Sequence, residues 1–178
     1  MIPLVRVTVG LKREGPGAGY PMAFILLGGT NGVETEDVME QSLKLVPKRG
    51  WISIFGDEFD PLGMGVGTLV RGLSHFQRYV EVCTGGFHRD PNWFRSCDRW
   101  IVDLQQSPSF NYKAMRSCDS LRLRVTEDTD LEEVYNYLVA CSKFACEVFL
   151  TVPAKNQKLV QDTFSMAVDF SRVRIFFA

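Results

Sequence analysis

Leu121-Arg-Leu-Arg-Val125, Asp130-Leu-Glu-Glu-Val-Tyr-Asn-Tyr-Leu138 and Glu147-Val-Phe-Leu-Thr-Val152 follow one another in the chain. The first and third are short runs bounded by turn residues and read as strands. Between them, Leu131, Val134, Tyr135 and Leu138 recur at helical spacing and form one apolar face, and Asp130 stands where an N-cap belongs. A strand, a helix and a second strand in this order imply parallel strands joined by a crossover helix. The segment therefore points to an α/β fold.

The same alternation extends outward from it. Further strand-like runs cover 4–9, 22–27, 51–55, 79–83, 100–104 and 172–177. A helix is expected from Thr35, read as its N-cap, with Glu36 and Asp37 in the first turn and Met39, Leu43 and Val46 on one face. A second covers 68–76 with Leu69 and Leu73 inward, and another covers 154–168. No internal repeat or long linker divides the chain, so a single domain over 1–178 is expected. The longer connections, 88–96 and 105–118, are the kind that carry function in compact domains.

Composition narrows the class. Hydrophobic residues make up 46% and charged residues 23% of the 178, an ordinary globular balance. A net charge of −1 supplies no global field toward nucleic acid or an anionic membrane, and no partner of either kind is expected. No apolar run reaches the length of a membrane span, and the opening residues lack the pattern of a signal peptide. The five cysteines, at 83, 97, 118, 141 and 146, match no common zinc or redox spacing. Buried free thiols in a reducing, cytoplasmic setting are the expectation.

Glu14-Gly15-Pro-Gly-Ala-Gly19-Tyr-Pro21, followed by Ala23-Phe-Ile-Leu26-Leu-Gly-Gly-Thr30-Asn31, resembles the opening of the 7-carboxy-7-deazaguanine synthases. These are small radical S-adenosylmethionine enzymes whose opening reads E-G-x-x-x-G-x-P, then F-I-R-L-x-G-C-N. Gly56-Asp57-Glu58 with Pro61 is similar to the family's cofactor-contacting G-G-E-P segment. Cys83-Thr84-Gly85-Gly86 stands where the family has E-T-N-G, and Ser107-Pro108-Ser109 where it has S-P-K. The resemblance implies an incomplete parallel β/α, TIM-like barrel of about six strands with an N-terminal hairpin. It marks Gly56, Asp57, Glu58 and Ser107 as cofactor-side positions. Glu14, Gly15 and Thr84, with Asp60 from the carboxylate cluster at 57–60, are candidate ligand-side positions.

The departures from that family set the functional expectation. Thr30 replaces the first cluster cysteine, and Asn31-Gly-Val-Glu34 runs directly into the first helix without the other two. A radical S-adenosylmethionine cluster needs three thiolates on one short loop. Leu26 replaces the substrate-clamping arginine, and Ser109 replaces the lysine of S-P-K. The expectation is a domain lacking its cluster-binding loop, with no four-iron, four-sulfur cluster, no metal site and no required cofactor. S-adenosylmethionine stays open as a ligand. Such a protein is expected to act by binding a protein partner, with a nucleoside- or purine-like pocket retained. Self-association, if it occurs, is expected as a homodimer, as is common in the family.

An alternative reading is an enzyme of a non-radical type, with Glu58 and His88 catalytic beside Asp57 and Asp60 at the barrel mouth. His75, in a helical pattern, reads as structural. The glycines at 15, 17 and 19 read as a tight turn, and those at 63, 65 and 67 as a loop leading into a helix. Phe87, Trp93, Phe94 and Trp100, interleaved with Arg89, Arg95 and Arg99, read as aromatic core flanked by surface arginines.

Overall fold

The computed structural model describes residues 1–12, 19–56, 61–85, 91–104 and 115–178. Two compact units divide the chain. One consists of Met1–Thr84 with the segment ending at Trp100, and the other mainly of Ile101–Ala178.

In the first unit, β1 (Ile2–Leu11) pairs antiparallel with β2 (Pro21–Val33), so the expected N-terminal hairpin is present. Its turn end is closed by Lys12 N–H to Tyr20 O at 2.9 Å and Gly19 N–H to Lys12 O at 2.8 Å. Gly19 has φ +88°, a left-handed conformation that glycine adopts without the Cβ penalty. β2 then pairs in parallel with β3 (Trp51–Gly56), and β3 with β4 (Tyr79–Thr84). Ala23, Ile52 and Val80 share one row of this sheet and Ile25, Ile54 and Val82 the next, all with no exposed surface. α1 (Thr35–Leu45) packs on β1 and β2, and α2 (Gly67–His75) packs on β4 and α1.

Several local expectations shift. Thr35 is the first helical residue, and Glu34 occupies the N-cap position without a side-chain capping bond. The buried face of α1 carries Val38 and Ser42, one residue earlier than expected, while Met39 and Leu43 are half-buried. Ser42 reads as polar in a sequence, yet its hydroxyl donates to Val38 O at 2.7 Å and so enters the core satisfied. Met39 instead bridges the helices: a Cβ added to Gly72 would lie 2.7 Å from its sulfur. On α2, Leu69 and Leu73 are fully buried as expected, and His75 is exposed at the end of the helix. Gly65, at φ +72°, turns the chain into α2. Gly67 is required by packing, since a Cβ there would meet the Trp93 ring at 2.5 Å.

β5 (Arg99–Leu104) begins in the first unit and continues into the second. There it pairs in parallel with β6 (Ser120–Arg124), β6 with β7 (Glu147–Val152) and β7 with β8 (Val173–Phe177). α3 (Leu131–Phe144) crosses from β6 to β7, and α4 (Gln157–Ala167) from β7 to β8. Asp130 caps α3, accepting from Glu132 N–H at 2.9 Å. The helix ends at Ala145 in the left-handed conformation, φ 56°. Val134 and Leu138 are buried, but Tyr135 is exposed and meets Phe170 edge-to-face at 5.7 Å. α4 starts three residues later than expected, because Asn156 caps it by accepting from Leu159 N–H at 3.0 Å. Both units thus carry parallel strands with crossover helices, a mixed α/β architecture. Among the described residues no helix is long and apolar enough to cross a membrane.

Candidate functional site

Alternation along β3 and β4 sends Ile52, Ile54, Val80 and Val82 toward the helices and Trp51, Ser53, Tyr79 and Glu81 to the opposite face. Ser53 and Glu81 are register partners there, and both are buried. Lys12, delivered by the hairpin turn, ion-pairs with Glu81, and its ammonium also lies 3.9 Å from the centre of the Trp51 ring. Arg99, at the start of β5, reaches the same Glu81 oxygen at 3.5 Å. Lys12 is 2%, Glu81 5% and Arg99 0% exposed. Charges so withdrawn from water carry a large desolvation penalty, which close pairing must offset. The cluster ties the hairpin, β3, β4 and β5 together within the first unit.

Beside it, Trp93 and Phe94 pack on Trp100, each with ring centres 5.2 Å apart, the Phe94 pair stacked. The aromatic-core reading holds for Trp93 and Trp100, which are both buried. The surface-arginine part holds for Arg95 but not for Arg99, which Glu81 draws inside.

Of the positions marked in the sequence, Gly56 ends β3 opposite Leu27, and Thr84 ends β4. Thr84 alternates with Val80 and Val82, so it is buried on the helix side, away from Glu81. Glu14, Gly15, Asp57, Glu58, Asp60, His88 and Ser107 lie outside the described residues, as do Phe87, Arg89 and Ser109. The sequence does not single out Lys12 or Glu81, and it places Arg99 at the surface, where the structure buries it. The available signal was a lone carboxylate inside an apolar strand, Tyr79-Val-Glu81-Val-Cys83.

Residues 28–34, where the resemblance noted in the sequence would place a cysteine loop, have a specific geometry. Pairing between β1 and β2 jumps from Leu4 opposite Leu27 to Pro3 opposite Gly32, so residues 28–31, Thr30 among them, bulge from the ladder. Gly32 and Val33 then pair again with β1, and α1 begins at Thr35. Glu34 alone connects strand to helix. No cysteine lies between residues 28 and 35, so this stretch supplies none of the three thiolates that such a cluster needs.

The thiols sit elsewhere. Cys97, Cys141 and Cys146 are buried, and Cys83 and Cys118 are half-buried; all five are free. Cys97 donates to Arg99 O at 2.9 Å. A hydrogen bond with Cys146, together with burial, pushes the Cys141 thiol up from its ordinary range. Burial, and then the adjacent Asp119 carboxylate, push Cys118 up as well. Asp119 is itself held by Arg116 through two side-chain bonds, at 2.9 and 3.0 Å. Raised in this way, the Cys118 and Cys141 thiols are poor nucleophiles and poor metal ligands near neutrality. The same hydrogen bond holds the Cys146 thiol below its ordinary range.

A second feature occupies the helix side of the second unit. Phe164, Ala167, Val168, Phe170, Val173, Ile175 and Phe177 line an apolar groove of about 330 Å³ between α4 and β8. Phe164, Val168 and Phe177 are 58, 63 and 58% exposed. β8 pairs with β7 on one side, and among the described residues no strand pairs with its other side. Exposed contiguous apolar surface of this kind, beside an edge strand, is characteristic of sites that engage another protein. The signal in the sequence was the breadth of apolar positions on α4, wider than a single stripe.

No protein-family model matches this chain, and no curated protein matches it.

Proposed function

We propose that this chain is a cluster-less relative of the 7-carboxy-7-deazaguanine synthases, built as an incomplete parallel β/α barrel, which acts in the cytoplasm by binding a protein partner. The observation that carries this reading is the single-residue connection from β2 to α1, where the resembling enzymes place their cysteine triad. Five free thiols, three of them buried, suit a reducing compartment. The α4–β8 groove supports the partner half of the reading, because an apolar segment laid along it would cover Phe164, Val168 and Phe177 and complete the edge of β8.

The test is affinity capture from the native host by the wild-type chain and by Phe164→Glu/Val168→Glu, followed by reconstitution with the purified partner. Both side chains are largely exposed, so the double variant is expected to melt with the wild type. A partner held by the wild type and lost, by about tenfold or more in affinity, by the variant supports the reading. Equal binding by both chains, or a wild-type chain that holds no partner, overturns it.

A further inference from the structure

The second unit has a sheet face that the partner reading does not use. Val148, Leu150, Val173 and Ile175 point to the helix side, so the residues alternating with them point the other way. Register places Asp103, Arg122, Phe149 and Arg174 in one row of that opposite face, strand by strand. The next row carries Arg124, Thr151 and Phe176. Three arginines and two phenylalanines thus share a surface of three neighbouring strands, in a chain whose net charge is only −1.

The two acidic groups on this face are accounted for by position. Asp103 is the register neighbour of Arg122, and Glu147 lies one row back, toward the strand beginnings. Arg124 and Arg174 are exposed, and among the described residues neither makes an ion pair. Phe176 stacks on Phe149, with ring centres 5.8 Å apart and planes at 30°, and is itself 50% exposed. One flat aromatic ring is therefore buttressed from below and open above.

Spacing fixes what can bind. Adjacent strands lie about 4.8 Å apart and same-face neighbours on a strand about 6.7 Å apart. Thr151 sits beside Phe176, between the strands that carry Arg124 and Arg174. An anion above Thr151 is within reach of both guanidiniums and of the threonine hydroxyl, and a planar group attached to it falls on Phe176. Guanidinium forks suit phosphate oxygens, and an exposed phenylalanine face suits a nucleobase.

We infer that this face binds a nucleoside monophosphate, with the phosphate between Arg124 and Arg174 and the base stacked on Phe176. The inference is independent of the partner reading: the two surfaces lie on opposite sides of the sheet, and either can fail alone.

Calorimetric titration of the full chain at low salt with AMP, adenosine and inorganic phosphate tests it. AMP is expected to bind with Kd below about 1 mM, and at least about tenfold tighter than either fragment. Arg124→Glu and Arg174→Glu, exposed positions at which melting should not change, are expected to abolish the heat of AMP binding. Phe176→Ala is expected to weaken it about tenfold while leaving phosphate binding unaltered. Raising the salt should weaken AMP more than adenosine. AMP binding no tighter than inorganic phosphate, unchanged in the arginine variants, or absent at millimolar concentration overturns the inference. So does a single-stranded oligonucleotide that binds through these arginines where AMP does not.

Discussion

Glu81→Ala is expected to lower the folding stability of the chain by about 3–5 kcal/mol, the range seen when one partner of a buried ion pair is removed. Glu81 receives both Lys12 and Arg99, and all three side chains are essentially excluded from solvent. Truncating the carboxylate leaves two buried cations with one counter-charge fewer. Glu81→Gln keeps the volume and an acceptor but not the charge, so it should fall between wild type and alanine. Urea unfolding followed by tryptophan fluorescence reads the effect directly, because Trp51 lies against the Lys12 ammonium. A loss below about 1 kcal/mol for the alanine variant would place this cluster with exposed ion pairs, contrary to its burial.

Trp100→Ala should be comparably severe, at about 3–5 kcal/mol. The indole has no exposed surface, packs on Trp93 and Phe94, and donates from Nε1 to Phe94 O at 3.4 Å. Its removal leaves a cavity that Trp93 can fill only by leaving Gly67, against which it is closely packed. Trp100→Phe retains most of the apolar contact and should cost appreciably less. Differential unfolding of the two variants checks this, together with loss of the near-ultraviolet tryptophan dichroism in the alanine variant. Equal stabilities for the alanine and phenylalanine variants would contradict the packing described.

The strands and helices were legible because hydrophobic periodicity is local. Asp130 before Leu131, and the alternating residues of 79–83, announce their structures within a few positions. What was not legible depended on partners distant in sequence. Ser42 enters the core because its hydroxyl finds the Val38 carbonyl, whereas a polar residue taken alone belongs outside. Arg99 is buried because Glu81, eighteen positions earlier, meets it across neighbouring elements. Tyr135 fits the apolar stripe of α3, yet it stays outside because Phe170 offers it an edge-to-face contact at the surface. The arginine and phenylalanine rows of β6–β8 likewise appear only once strand register is known. Among the residues marked for a barrel-mouth site, only Gly56 and Thr84 fall within the described chain, and they end neighbouring parallel strands with Thr84 turned inward.

The proposed loss of radical chemistry stands on the strand-to-helix connection after Val33, a single residue without a cysteine. Anaerobic reconstitution with iron and sulfide, followed by incubation with dithionite and S-adenosylmethionine, tests it most directly. The expected result is a colourless protein without visible sulfur-to-iron absorbance, and S-adenosylmethionine recovered intact. Stoichiometric iron on the folded chain, with reductive cleavage of S-adenosylmethionine to methionine and a deoxyadenosyl product, would contradict it.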